Sequence, residues 1–295
     1  MVPEYPQFKE LELKDRDLIG GHLSSCAPGI CEFSFANLFI WKEFDRPSLT
    51  SINGNLCVLI DPLNESPYFL EPVGRGNLEE TVGVCLEHTG RISRASSKFV
   101  SSLPSGFHVH PLRDHFDYVC KAKDLAELRG RRFDGKRNHI KKLLRLHPEY
   151  KYEDLKGGHS SEALALFDRW WGLKKKAGPS SRLELSYNSQ KRVLENAMHN
   201  FDPLGLLGGV IRIGDELAGV IGGSALNDRT MCVHFYYCLT DVPGVATTLL
   251  WQACRETFSQ YECINMEQDL GLAGLRKSKN SYCPCRLEEK FEISR

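Results

Sequence analysis

The residues best suited to chemistry lie close together near the C-terminus, between positions 262 and 284. An apolar strand pattern at 263–266 leads into two carboxylates, Glu267 and Asp269. After a glycine-punctuated helix start come three cations and a tyrosine: Arg276, Lys277, Lys279 and Tyr282. Carboxylates at a strand end beside a helix N-terminus occupy the position where α/β folds bind ligands. This set could transfer protons and bind anions. A solvated, salt-bridged helix start is the alternative.

A basic segment at 129–145 is a second candidate, because it holds eight lysines and arginines and a single acid, Asp134. If the segment is helical from about position 135, then Arg137, Lys141 and Arg145 stack on one face. Like charges at that spacing destabilise an isolated helix by roughly 0.2–0.5 kcal/mol per pair. Phosphate, a nucleic-acid backbone or the carboxylates of another segment would relieve this repulsion, and a solvated linker helix is the alternative. Three stacked cations do not predict sequence-specific DNA recognition.

The loop at 241–246, Asp-Val-Pro-Gly-Val-Ala, lies between a predicted strand and a predicted helix N-terminus. That geometry directs the backbone N–H groups of Gly244, Val245 and Ala246 toward an anion. The loop matches neither the phosphate-binding G-x-x-x-x-G-K pattern nor G-x-G-x-x-G. A plain turn before a helix is therefore the alternative.

The amino-acid composition limits which classes of function are possible. Lys+Arg and Asp+Glu both total 38, so any contact with nucleic acid or a membrane surface must come from a local patch. We find no signal peptide and no membrane span, and we expect a cytoplasmic protein whose eleven scattered cysteines are mostly buried free thiols. Neither Cys283-Pro-Cys285 nor His108-Val-His110 is completed by further ligands, so we predict no metal.

Hydrophobic periodicity predicts a mixed α/β sheet in each half of the chain. In the second half we expect two helices, three antiparallel strands, a crossover helix, a parallel return strand, a helix and a final edge strand at 288–293. The first half repeats this order less clearly, with strand-like segments at 97–102 and 106–120. We therefore predict two similar domains, 1–128 and 129–295, with the basic linker helix at about 129–147.

Three blocks carry a family resemblance: FSFANLFIWKEF at 33–44, FDGKRNHIKKL at 133–143 and INMEQDLGLAGLRKSKNSY at 264–282. They resemble a bacterial and archaeal family related to the C-terminal catalytic domain of phosphatidylglycerol lysyltransferase. The order of elements is similar to the GNAT acyltransferase fold in tandem, and more distantly to the Fem-type aminoacyl-tRNA-dependent transferases. The resemblance implies an α/β (α+β) protein of two tandem GNAT-like domains, each a mixed, mostly antiparallel sheet flanked by helices.

The resemblance also implies an acyl- or aminoacyl-transferase that works without a metal on an amine or hydroxyl acceptor. Glu267 or Asp269 would orient or deprotonate the acceptor, and Tyr282 would be the acid. The donor or its anionic groups would be bound by Lys136, Arg137, Lys141, Gly244, Val245, Ala246, Lys277 and Lys279. Tyr236 and Asn265 would line the substrate cleft.

We rank charged tRNA above acyl-CoA as the co-substrate, because an acidic residue, Asp241, opens the loop where a diphosphate needs donors. An acetyl- or acyl-CoA-dependent N-acyltransferase is the first alternative. A non-catalytic anion- or nucleotide-binding protein that retains the fold is the second. No cofactor is certain. The acceptor would be a small molecule, a peptide or a lipid headgroup, and we expect neither DNA nor a membrane span.

Overall fold

The structure is a computed structural model that describes residues 1–24, 28–176 and 181–295. Its strands are β1 (Lys9–Glu10), β2 (Ser48–Ile52), β3 (Asn55–Ile60), β4 (Tyr68–Phe69), β5 (Ile92–Ser96), β6 (His108–Pro111), β7 (Asp117–Lys121), β8 (Lys151–Asp154), β9 (Leu207–Ile213), β10 (Glu216–Asn227), β11 (Thr230–Cys238), β12 (Cys263–Asn265), β13 (Arg286–Glu288) and β14 (Lys290–Ser294). Its α-helices are α1 (Arg16–Ser24), α2 (Phe35–Ile40), α3 (Lys42–Asp45), α4 (Leu78–Thr89), α5 (Ser97–Val100), α6 (Ala122–Glu127), α7 (Asp134–Leu146), α8 (Ser160–Lys176), α9 (Ser181–His199), α10 (Val245–Arg255) and α11 (Ala273–Asn280).

The chain packs into two compact units that are not consecutive in sequence. Unit 1 contains Met1–Tyr118, Glu267–Lys279 and Arg286–Arg295, and unit 2 contains Val119–Met266 and Asn280–Cys285. A single division at residue 128 does not describe this arrangement, because two C-terminal segments return to the first unit.

The sheet of unit 1 has the strand order β1-β2-β3-β4-β5-β14-β6. Only β4 and β5 pair in parallel, and the other neighbours are antiparallel. The predicted final edge strand is wrong in one respect: β14 is hydrogen-bonded on both sides and lies inside the sheet. The predicted strand at 97–102 is also wrong, because the Ser96 side chain caps the short helix α5 by accepting from Phe99 N.

The sheet of unit 2 includes the consecutive strands β8-β9-β10-β11-β12-β7. The parallel pairing of β12 with β11 confirms the predicted return strand, and helix α10 provides the crossover between them. Helix α8 packs on the sheet through Phe167, whose ring centroid lies 4.8 Å from that of Tyr237 on β11. The basic segment forms α7, with Ile140 and Leu143 buried on its inner face.

All ten cysteines in the described ranges are free thiols, and seven of them are buried. Cys26 lies outside the described residues. Among the helices that the structure describes, none combines the length and the apolar character that crossing a bilayer requires.

Candidate functional site

The predicted site residues are divided between the two units. Unit 1 contains Glu267, Asp269, Lys277 and Lys279. Unit 2 contains the others: Lys136, Arg137, Lys141, Tyr236, Gly244, Val245, Ala246, Asn265 and Tyr282. The dense block at 262–284 therefore contributes to both units, and each group is described separately below.

Unit 1 contains a partly open pocket of about 280 Å³, which we call the acidic pocket. Its polar and aromatic lining comprises Glu32, Asn37, Trp41, Asp45, Glu65, Tyr68, Arg94, His115, Glu267 and Gln268. Four carboxylates and one guanidinium line the pocket. Arg94 balances Glu65 and Lys290 balances Glu32, so the net negative charge comes from Asp45 and Glu267. A compact organic cation, such as a protonated amine, is the ligand that complements this charge.

The backbone has an unusual conformation at two charged residues of the pocket. Arg94 on β5 and Glu267 after β12 both adopt the left-handed region, with φ of 60° and 56°. Non-glycine residues are rare there, and such strain persists only when the surroundings enforce it. The Arg94 guanidinium lies 3.1 Å from Glu65 Oε2 and stacks 4.9 Å from the Tyr68 ring centroid. Asn37 Nδ2 donates to Glu267 Oε1 over 3.4 Å.

Asp45, at the end of α3, is a pocket carboxyl whose pKa is changed by its surroundings. Burial raises the pKa of Asp45 to about 6. Among the described residues it has no lysine or arginine ion-pair partner within salt-bridge distance. At pH 7 this carboxyl is mainly ionised, so it can pair with an incoming ammonium group.

A buried ion-pair network lies behind the pocket and includes Glu32. Lys290 Nζ lies 2.5 Å from Glu32 Oε2, 2.6 Å from Asp117 Oδ1 and 3.3 Å from Cys31 Sγ. Burial alone would lower the pKa of Lys290, but Asp117, Cys31 and Glu32 together raise it well above its usual range. The ammonium group therefore stays charged and lies among ligand atoms that could otherwise hold a metal ion.

Asp269 is completely buried and makes five hydrogen bonds. Its oxygens accept from Arg276 Nε at 2.8 Å, Arg276 Nη2 at 2.9 Å, Arg113 Nη1 at 3.2 Å, Tyr118 Oη at 2.6 Å and Gly271 N at 2.9 Å. Burial would raise the pKa of Asp269, but the bonds from Arg276, Tyr118 and Gly271 hold it well below its usual range. A carboxylate this fully engaged is a poor base, so the proposed catalytic role does not fit Asp269.

In unit 2, Tyr282 is buried beside the start of α10. Its hydroxyl forms side-chain hydrogen bonds with Thr247 and Tyr236, and burial raises the pKa of Tyr282 to about 12. Lys136 Nζ lies 3.4 Å above the Tyr282 ring centroid and donates to Ser281 Oγ over 2.6 Å. Burial lowers the pKa of Lys136 to about 8. These residues form a cluster with one cation and several hydroxyl groups.

Other predicted donor-binding residues are engaged elsewhere. The Arg137 guanidinium donates to the carbonyls of Leu128 and Gly130 and pairs with Asp134, so it stabilises the start of α7. Lys279 is buried and donates to the Gln268 carbonyl within unit 1.

Asn265 is completely buried on β12, which leaves it no access to a cleft. Lys141 and Lys277 are exposed.

Gly244, which precedes the first turn of α10, is covered by helix α7. A Cβ atom there would lie 2.1 Å from the His139 carbonyl oxygen, so α7 packs directly against this residue. Val245 is only 2% exposed. The predicted anion-binding loop therefore meets a carbonyl oxygen at Gly244, and an anion would be repelled there.

Gly244→Ala is expected to lower the free energy of unfolding by about 1–3 kcal/mol, because φ is 90° and the added methyl group overpacks the contact with His139. Urea denaturation checks this. Gly135→Ala, in the helix α7 that packs against Gly244, is the control, since a Cβ at Gly135 meets no atom within 4 Å. It should be neutral or stabilise by up to about 1 kcal/mol. Equal effects for the two variants would contradict the packing.

Most pocket residues were missed because no local pattern connects them. Glu32, Asp45 and Glu65 come from separate turns and helices of the first 65 residues, while Glu267 arrives from the far end of the chain. The available signals were the blocks at 33–44 and 264–282, which contribute Trp41 and Gln268 to the lining.

The two mixed, mostly antiparallel sheets with flanking helices define the tandem GNAT-like class, and the comparisons confirm it. The family model of the phosphatidylglycerol lysyltransferase C-terminal domain matches residues 25–293. The chain therefore belongs to this family. No curated protein sequence shows a significant match.

Three solved structures illustrate the likeness. A conserved protein from Bacteroides thetaiotaomicron VPI-5482 is 28% identical, with 100% of this chain and 99% of that chain covered and a TM-score of 0.89. L-PGS from Bacillus licheniformis is 14% identical, with 100% and 94% covered and a TM-score of 0.62. FemX is 9% identical, with 97% and 96% covered and a TM-score of 0.55. The last two establish the fold alone.

Proposed function

We propose that the chain is an acyl- or aminoacyl-transferase whose acceptor is an amine that enters the acidic pocket. The observation that carries this proposal is the pocket lining, in which four carboxylates and two aromatic rings surround about 280 Å³. Family membership supports group transfer in general. The net negative charge of the pocket supports an amine among the acceptors considered above.

In the proposed reaction the acceptor arrives as an ammonium ion, and Glu267 and Asp45 orient it. A pocket base removes one proton, and the nitrogen lone pair then forms a bond to the donor's carbonyl carbon while the ester C–O bond breaks. The nitrogen loses a second proton as the amide forms, and the departing oxygen takes up one proton and leaves as a hydroxyl. Oriented carboxylates lower the barrier by holding the nitrogen in place.

We propose an aminoacyl-tRNA as the donor, served by the Lys136–Tyr282 cluster of unit 2. Lys136 is a cation, and the Tyr282 hydroxyl could protonate a leaving oxygen. The His139 carbonyl at Gly244 argues against a coenzyme A diphosphate in the loop at 241–246.

The test uses tRNA charged with radiolabelled amino acids, with ethanolamine and free lysine as amine acceptors. We expect label to move from tRNA to an amine, and Glu267→Gln to lower kcat/KM roughly 10- to 100-fold through loss of a charged hydrogen bond. Glu79→Gln, an exposed carboxylate on α4, is the matched control and should change nothing.

Transfer from labelled acetyl-CoA but not from tRNA would contradict the donor assignment and leave the pocket assignment standing. Amine binding without transfer from either donor would identify a binding protein and contradict the proposed activity.

A further inference from the structure

We infer that His115 is the proton acceptor of the acidic pocket and that Gln268 and Glu32 fix the tautomer in which its Nε2 is the basic atom. This inference rests on the proposed function and deepens it, because it names the group that deprotonates the acceptor. His115 ends the short turn Arg113–His115 and lines the same cavity as Glu267.

The orientation of the Gln268 amide follows from Glu32. The Gln268 Nε2 group donates to Glu32 Oε1 over 2.7 Å, and Lys290 Nζ lies 2.5 Å from Glu32 Oε2. A carboxylate beside an ammonium group is an acceptor, so the amide must present its NH₂ to Glu32. The amide oxygen of Gln268 therefore faces the opposite way.

That oxygen sets the state of the imidazole. His115 Nδ1 lies 2.7 Å from Gln268 Oε1, and an amide oxygen can only accept. Nδ1 must therefore carry the proton, and in the neutral ring Nε2 holds the lone pair. Among the described residues, Nε2 has no hydrogen-bond partner. The arrangement is comparable to a carboxylate orienting a histidine, with a glutamine relaying between the two.

The charged groups around the imidazole ring affect the pKa of His115. Burial lowers the pKa of His115, and Arg94 and Lys290 lower it further, while the bond to Gln268 and the charge of Glu65 act in the opposite direction. Glu32, Asp45 and Glu267 line the same pocket. The imidazole is therefore neutral at pH 7, which is the state that accepts a proton.

The proton balance is complete without any added reactant. One N–H bond of the acceptor's ammonium group breaks, a new N–H bond forms at His115 Nε2, and the pocket carboxylates stabilise the imidazolium. The acceptor's lone pair then attacks the donor carbonyl, and the nitrogen loses a second proton as the amide forms. One of the two protons goes to the leaving oxygen and the other to water, which returns His115 to its neutral state.

His115→Asn is the decisive variant. The asparagine amide can still donate to Gln268 Oε1, so a packing role is retained, but the basic nitrogen is lost. We expect kcat for amine transfer to fall about 10²- to 10⁴-fold. Added imidazole should partly rescue His115→Ala. Wild-type kcat should rise with pH through a midpoint below the ordinary histidine value of about 6.5 and then level off.

Nitrogen NMR of the full chain gives a readout that does not need activity. We expect the Nδ1–H tautomer in the wild type, and a mixture of tautomers in Gln268→Leu. An Nε2–H tautomer in the wild type overturns the inference directly.

Different results would contradict the proposed function and the role of His115. A wild type that transfers no acyl group overturns the proposed function, and this assignment with it. A wild type that is active while His115→Asn keeps its kcat and pH profile overturns only the role of His115.

Discussion

Replacing Asp269 with alanine is expected to lower the free energy of unfolding by about 3–5 kcal/mol. The substitution leaves the Tyr118 hydroxyl and two guanidinium groups, from Arg113 and Arg276, without the buried carboxylate that they share. It also removes the acceptor that holds Gly271 N in the turn before α11. Urea denaturation at pH 7 measures the loss.

Asp114→Asn is the control for Asp269. Asp114 binds the same Arg276 at 2.8 Å, but its side chain is 59% exposed, so the cost should stay below about 1 kcal/mol. A comparable loss from both variants would show that Arg276, and not the burial of Asp269, determines the effect.

Acid titration gives an independent check on Asp269. Its folded-state pKa is depressed, so its contribution is present above the unfolded pKa of about 3.9 and is lost as pH falls below that value. The wild type should lose stability over this range more steeply than Asp269→Ala.

Lys290→Met is expected to lower the free energy of unfolding by about 3–5 kcal/mol, which is typical for breaking a buried ion pair. Methionine fits the stem of the lysine, but it leaves the carboxylates of Asp117 and Glu32 facing each other without a cation. Thermal and urea denaturation should both register the change.

Neutralising Asp117 and Glu32 tests whether their uncompensated charge causes the loss of stability. Combining Lys290→Met with Asp117→Asn and Glu32→Gln should restore a large part of the lost stability, because no uncompensated charge remains. Lys277→Met, at an exposed position of α11, should stay within about 0.5 kcal/mol of wild type. If the triple variant is no more stable than the single one, packing and not charge explains Lys290.

The elements of unit 2 were largely predictable because each depends on a local pattern. The hairpin of β9 and β10, the strand β11 and the helix α10 follow from periodicity and turn residues close in sequence. The position of β14 was not predictable in this way. Its pairing depends on β5 and β6, almost 200 residues earlier, and nothing in its own sequence distinguishes an interior strand from an edge strand.

The candidate site was predictable only in part for a related reason. Residue type and density drew attention to Glu267 and Tyr282, but the local pattern could not show that Asp269 is saturated by arginines from two segments. Nor could it show that His115 shares a cavity with Glu32, since 83 residues separate them and the contact through Gln268 comes from a third segment.

The interior position of β14 has a consequence for the order of folding during synthesis. Val119–Met266 can emerge from the ribosome and begin to fold while the sheet of unit 1 still lacks a strand. That sheet joins β5 to β6 only after residues 290–294 are available. Until then β5 and β6 expose unpaired edges, which are templates for misassembly. Nascent chains arrested before residue 290 should therefore require chaperone protection that the full chain does not.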